Sequence, residues 1–102
     1  MNYLPFMYNK YRDLIIKSTF LKSRLDNEFL IVMNEKLETI YLTSTAKEMV
    51  ITISSNSNGI KVDSLFQKFI LEYEIDELTL KSDIIDFIKD MQWKSIVSLE
   101  KN

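Results

Sequence analysis

Three short strand-like runs stand ahead of three helix-length segments in this chain, and that order constrains its fold more than any other feature. Residues 20–26 have a period of two, with Leu21, Ser23 and Leu25 on one side and Phe20, Lys22 and Arg24 on the other; residues 29–33 are continuously apolar, and residues 39–42 read Thr-Ile-Tyr-Leu. Patterns of this kind indicate β-strands. Turn-forming residues at 26–27 and 34–36 leave only short connections between the runs. The sequence therefore predicts an antiparallel meander whose third strand is an edge.

The second half of the chain carries helix signals. Thr45 and Glu48 have the spacing of a capping box, which favours a helix over residues 44–54 although the end of that segment is β-branched. Apolar residues recur at helical spacing over residues 62–74, and again from residue 78 or 79 to residue 91. The predicted fold class is α+β: a three-stranded antiparallel meander followed by three helices, winged-helix-like.

The last predicted helix has two distinct faces. We expect its apolar face to pack on the core, and this face consists of Leu80, Ile84, Phe87, Ile88 and Met91. We expect a second face to be solvated, and it consists of Asp83, Asp86 and Asp90. After this helix, residues 96–99 are typical of a short terminal strand or an extended tail.

The first nineteen residues are the least regular part of the chain. Tyr8, Tyr11, Leu14 and Ile15 follow a helical spacing there. Two interpretations stay open for this segment: it packs on the core of its own domain, or it forms an aromatic patch for a partner protein. We expect residues 1–19 to be an N-terminal extension and residues 20–99 to be a single domain.

The composition excludes several kinds of chemistry. The chain has no histidine and no cysteine, which excludes thiolate catalysis, His-based triads and His/Cys zinc sites. Its one glycine excludes Gly-rich phosphate loops. The 15 acidic residues fall mostly on predicted solvated helix faces, where paired carboxylates for acid–base catalysis are not expected. We therefore expect no catalytic residues, no metal and no cofactor.

The charge and hydropathy of the chain indicate which partners and which location to expect. A formal net charge of −2 and a pI near 5.1 leave no basic footprint for phosphates, and the segment 76–90 carries five acidic residues against Lys81 and Lys89. No stretch is long and apolar enough for a membrane span, and the first residues lack the pattern of a secretory signal. We expect no nucleic acid partner, no membrane association and a cytoplasmic location.

Three motifs in order carry a resemblance to a known family. Residues 42–46 read Leu-Thr-Ser-Thr-Ala after the predicted edge strand, and Glu72-Tyr73 ends the second helix. The third helix carries a core signature formed by Asp83, Phe87, Ile88 and Met91. Over residues 20–99 the chain resembles the PqqD-like family, also called the RiPP recognition element.

The sequence departs from the pattern of that family at two positions. Thr43 stands where the family has an asparagine at the start of the first helix, although threonine also caps helices. Ser95 stands where a glycine usually follows the third helix, so the end of that helix is expected to differ.

The resemblance implies a non-catalytic domain that binds the leader segment of a ribosomally made precursor peptide. In the family the leader adds as a strand beside the third strand, and its side chains enter a groove against the third helix. The matching positions on the strand are Glu38, Thr39, Ile40, Tyr41 and Leu42. Those on the helix are Lys81, Ile84, Ile85, Ile88 and Gln92.

Simpler structural roles stay open for three of these residues. Ile85 extends the apolar surface of its helix beyond the core stripe, but it can also be a residue at the core margin. Tyr41 can shield the sheet edge as an aromatic residue, and Lys81 can be an ordinary solvated charge.

The resemblance also implies a second partner. A recognition domain of this kind hands its peptide to a maturation enzyme, which in the family is a radical iron–sulfur enzyme, a protease or a cyclase. Two alternatives are a winged-helix nucleic-acid-binding protein, which the acidic third helix disfavours, and a general protein-interaction adaptor.

Overall fold

A computed structural model describes the backbone of residues 4–101 and the side chains of residues 7–101. The helices are α1 (Leu4–Tyr11), α2 (Ser44–Ser54), α3 (Val62–Glu72) and α4 (Glu77–Trp93). The strands are β1 (Ile15–Ser18), β2 (Lys22–Asp26), β3 (Phe29–Met33), β4 (Thr39–Leu42), β5 (Ile60–Lys61) and β6 (Val97–Glu100). Within this described part, no helix is long and apolar enough to cross a membrane.

The predicted meander is confirmed. β2, β3 and β4 form one antiparallel sheet in that order, with β3 in the middle and β4 at an edge. Leu30, Val32 and Leu42 lie on one face of this sheet and are buried in the core, as period-two alternation requires. The predicted α+β class is therefore confirmed, with three of the helices following this sheet in the chain.

A second sheet was not expected from the sequence. β1 lies between β5 and β6 and is antiparallel to both, which joins the first and last parts of the chain. The predicted strand near residues 96–99 is thus β6. Gly59 enters β5 with a φ of +86°, and a Cβ at this position would lie 2.5 Å from Cγ2 of Ile15. Glycine is required at this turn for both reasons.

The start of the chain packs on the core. The predicted helical spacing from Tyr8 to Ile15 is wrong beyond Tyr11, because α1 ends there and Ile15 begins β1. Tyr8 is almost fully buried, and its hydroxyl donates a 2.8 Å hydrogen bond to Oδ1 of Asp63. Burial, with this hydrogen bond, raises the pKa of Tyr8 well above its ordinary value. The core-packing interpretation is confirmed for Tyr8.

α2 spans the predicted residues but begins differently. The helix cap is Thr43, whose side chain makes no capping hydrogen bond, so the capping box of Thr45 and Glu48 is wrong. The β-branched residues in the second half of α2 include Val50 and Ile53, which are fully buried. Their burial in the core outweighs the weak preference of β-branched residues for strands.

The predicted apolar face of α4 is confirmed. Its residues Leu80, Ile84, Phe87, Ile88 and Met91 are all buried. The helix begins after Asp76, whose carboxylate accepts a 3.1 Å hydrogen bond from the backbone N–H of Thr79. This side-chain cap satisfies one of the free amides of the first turn.

Candidate peptide-binding site

β4 presents an open edge with a defined set of backbone groups. The N–H of Asn34 donates a 3.0 Å hydrogen bond to the carbonyl of Glu38, so these two residues are a hydrogen-bonded pair. The register continues through Val32 and Ile40, and directly opposed residues alternate between bonded and non-bonded pairs. Ile40 therefore bonds to β3. The N–H and C=O groups of Thr39 and Tyr41 point away from the sheet.

A single buried side chain fixes the turn that leads into β4. Asn34 is fully buried, and its Oδ1 accepts 3.0 Å hydrogen bonds from the N–H groups of Lys36 and Glu38. Its Nδ2 donates to a carboxylate oxygen of Glu38 at 2.9 Å and to the carbonyl of Lys94 at 2.7 Å. Because Lys94 directly follows α4, Asn34 connects the start of β4 to the end of that helix. The sequence identified this residue only as part of a turn.

A groove lies between the beginning of α2 and the outer side of α4. It has a volume of about 440 Å³. Its apolar surface comes from Ala46, Met49, Phe87 and Met91, and its polar rim comes from Thr45, Asp83, Asp86 and Asp90. We call it the α2–α4 groove. A cavity of this size and apolar character can hold one or two side chains of a bound peptide.

β4 is connected at its two ends to the two helices that form the α2–α4 groove. Through Asn34 the start of β4 meets the end of α4, near Asp90. The end of β4 leads within three residues to Thr45, which lines the groove from α2. The inward face of β4, which carries Leu42, points toward the helices. A strand added to the β4 edge would place alternate side chains on this inward face of the sheet.

The strand positions predicted from the resemblance lie together on β4 or just before it. The side chains of Thr39 and Tyr41 lie on the solvent face of the sheet. Tyr41 is 61% exposed, and its ring is edge-on to that of Phe29, with 5.8 Å between the ring centroids. Ile40 is half-buried and Leu42 is buried, so these two side chains support the sheet from its inner face. Glu38 is exposed but engaged with the side chain of Asn34.

Most of the helix positions predicted from the resemblance are not accessible. Ile84, Ile85 and Ile88 are 0% exposed. The expectation that Ile85 extends an accessible apolar surface is wrong, and the core interpretation holds for it. Lys81 is only partly exposed and pairs with Glu77 at 3.0 Å. Of the five predicted helix positions, only Gln92 has an exposed side chain.

α1 explains why that flank of α4 is closed. The ammonium group of Lys81 lies 5.2 Å from the ring centroid of Tyr8, and that of Lys89 lies 3.8 Å from Sδ of Met7. Ile85 stands one turn from each lysine on the same flank. Both contacts come from α1, which covers this side. The accessible groove is on the opposite flank of α4.

The aspartates of α4 are exposed as predicted, but they are not remote from the groove. Asp83, Asp86 and Asp90 all line its rim. Asp90 pairs with Lys94 at 3.0 Å across one helical turn. The sequence could not show this placement, because it depends on where α2 lies against α4.

Comparison with known proteins gives one relevant likeness. The structure of TbiB1 in complex with the TbiA(beta) leader peptide matches this fold with a TM-score of 0.66. The match covers 82% of this chain and 94% of that chain at 14% sequence identity, so it shows a similar fold. No protein-family model and no curated protein matches the sequence.

Proposed function

We propose that this chain is a non-catalytic binding protein of the PqqD-like, or RiPP recognition element, kind. It recognises the leader segment of a ribosomally synthesised precursor peptide and presents it to a separate maturation enzyme. The observation that carries this proposal is the open edge of β4 beside the α2–α4 groove. The likeness in fold to a protein whose solved structure contains a leader peptide supports it.

Strand addition is the binding mode that this geometry favours. Thr39 and Tyr41 each offer one outward N–H and one outward C=O, which an extended peptide pairs with. Side chains of the added strand that point inward reach the apolar surface formed by Ala46, Met49, Phe87 and Met91. Backbone pairing with one or two such side chains is consistent with micromolar affinity, or roughly 8 kcal/mol.

The proposed site differs from the one expected from the sequence on its helix side. We keep residues 38–42, chiefly through their backbone, as the strand that receives the leader. On α4 we replace Ile84, Ile85 and Ile88 by the residues that line the groove: the exposed aspartates form its rim, and Phe87 and Met91, which are 7% and 1% exposed, form its floor. We assign recognition to residues 20–99, with α1 covering the other side of α4, and we propose a cytoplasmic location.

The nucleic-acid alternative receives no support from α4. A helix that entered a groove of DNA would bring its exposed face close to phosphates, and that face carries Asp83, Asp86 and Asp90. A general adaptor would differ from the proposed function in the identity of its ligand. A precursor-peptide gene beside the gene of this chain would favour leader recognition over that alternative.

The proposed function is tested by titration of the full chain with synthetic leader segments of precursor peptides encoded near its gene. Amide chemical shifts report the binding site residue by residue. We expect saturable shifts that concentrate in residues 38–49 and 83–91. Turnover of the peptide by the isolated chain, or shifts that avoid both segments, would contradict the proposal.

A further inference from the structure

The rim of the α2–α4 groove has an uncompensated negative charge. Its lining includes three aspartates but neither lysine nor arginine. Asp90 is partly neutralised by Lys94. Among the side chains of residues 7–101, the carboxylates of Asp83 and Asp86 have neither a hydrogen-bond partner nor an ion-pair partner. Two free carboxylates therefore stand at the rim of a groove whose floor is apolar.

We propose that the α2–α4 groove selects a peptide segment in which Lys or Arg flanks one apolar side chain. The apolar side chain occupies the groove, and the cations pair with Asp83 and Asp86. This inference rests on the proposed function, because it names the chemistry of the peptide that the β4 edge holds. It adds a specificity that the edge itself, which pairs only with backbone, does not provide.

The spacing of the carboxylates fits this arrangement. Asp83 and Asp86 are three residues apart on α4, which places them roughly 4.5 Å apart along the helix axis. An extended peptide covers that distance in about one to two residues. Long cationic side chains within two residues of the apolar one can therefore reach the rim from either direction.

The apolar floor of the groove and its charged rim are expected to select different features of a bound peptide. Methionine is unbranched and polarizable, so Met49 and Met91, which are 1% exposed at the floor of the groove, can adapt to apolar side chains of several shapes. The charged rim discriminates more strongly. Pairing with a free carboxylate favours Lys or Arg, whereas an acidic residue at the same place meets like charge. Selectivity for cations is therefore expected to exceed selectivity for one particular apolar residue.

The inference is tested by selection from a library of random short peptides displayed on their messenger RNAs. The full chain is the bait, in parallel with the double variant Asp83→Asn, Asp86→Asn. A second double variant, Glu28→Gln with Glu74→Gln, changes the net charge by the same amount at exposed sites outside the groove lining. The selected peptides are then synthesised, and their affinities are measured by calorimetry.

The wild-type chain is expected to enrich peptides with Lys or Arg within two residues of an apolar residue. These peptides should bind the Asp83→Asn, Asp86→Asn variant roughly five-fold or more weakly, as expected for the loss of two ion pairs. Their affinity for the Glu28→Gln, Glu74→Gln variant should stay within about two-fold.

The variants Thr39→Pro and Tyr41→Pro separate failure of the inference from failure of the proposed function. Peptides that lose affinity for these variants but show no cation preference would overturn the inference alone. A selection that enriches no peptide, or only peptides that bind these variants as tightly as the wild type, would overturn both. Equal weakening by the two charge variants would also overturn the inference, since the effect would then reflect net charge.

Discussion

The two edges of the three-stranded sheet differ in ways that bear directly on peptide binding. β2 is exposed along its whole length and carries Lys22, Arg24 and Asp26. β4, in contrast, carries no charged residue at all and leads into α2, which lines a groove. Charged residues on an edge strand discourage pairing with another chain. β4 lacks that protection, and the chain leads from it directly into α2, one wall of the groove.

Anchoring is the second difference between the edges. The start of β4 is connected to the end of α4 through Asn34, whereas β2 has no buried side chain. If β4 is the docking site, as we propose, an unpaired strand edge alone is not sufficient for docking. The edge must also be held in place, and it must lie next to a surface that distinguishes side chains.

The largest expected effect comes from removal of the anchor of β4. Asn34→Ala deletes the four side-chain hydrogen bonds of Asn34 and leaves the Lys94 carbonyl without this donor. We expect the free energy of unfolding to fall by about 2–3 kcal/mol, because buried polar groups lose their partners. Urea denaturation measures the change.

Asn58→Ala is the matched control for this anchor. Asn58 is exposed in a turn, so its replacement should change the free energy of unfolding by less than about 0.5 kcal/mol. An equal loss in both variants would show that Asn34 does not have the special role assigned to it.

Proline substitutions compare the two edges directly. Thr39→Pro and Tyr41→Pro each remove an outward N–H of β4, and we expect leader affinity to fall about tenfold or more. The free energy of unfolding should fall by less than the free energy of leader binding, since no hydrogen bond within the sheet is lost. Calorimetric titration measures the affinity, and thermal unfolding measures the stability.

The control on the opposite edge is Ser23→Pro. The register of β2 with β3 places the N–H of Ser23 outward as well, so the same donor is lost from a strand that is not proposed to bind. The affinity of the Ser23→Pro variant for the leader peptide should stay within about two-fold of that of the wild type. Comparable losses from both edges would remove the distinction between them.

A smaller effect is expected from obstruction of the groove. Ala46→Phe places a large side chain in the α2–α4 groove, and we expect affinity to fall about five-fold because an apolar side chain of the leader loses its place. Ser54→Phe, at the exposed far end of α2, serves as the control. Calorimetry that finds equal affinities for both variants would exclude the groove from the site.

The sequence predicted local elements well and long-range placement poorly. The meander and the bounds of α2 follow from local patterns, yet the proposed cap of α2 at Thr45 is absent. The second sheet joins β1 with β6, which are almost a chain length apart, so no local pattern reveals it.

The part of the proposed site on α4 was also poorly predicted from the sequence, because it too depends on long-range packing. Ile85 lies at the margin of the apolar stripe of α4, and a helical wheel cannot show which neighbour covers it. α1 covers that flank and closes it, whereas the flank with Asp83 and Asp86 remains open. The choice between the two flanks depends on tertiary packing.

The smallest expected effect is that of salt. Backbone pairing and apolar contacts respond little to ionic strength, and the two proposed ion pairs are partly exposed. Raising salt from a low to a moderate concentration should weaken leader binding about two- to three-fold. Fluorescence titration at several salt concentrations measures this. A loss of orders of magnitude would instead indicate a polyanionic ligand.

Hydrogen exchange at the two edges tests the central claim most directly. The outward amides are those of Thr39 and Tyr41 in β4, and those of Ser23 and Leu25 in β2. In the free chain all four should exchange quickly. With a saturating leader peptide, exchange at Thr39 and Tyr41 should slow by about tenfold or more, while Ser23 and Leu25 stay unchanged. Slowing confined to Ser23 and Leu25, or no slowing at either edge despite binding, would contradict strand addition at β4.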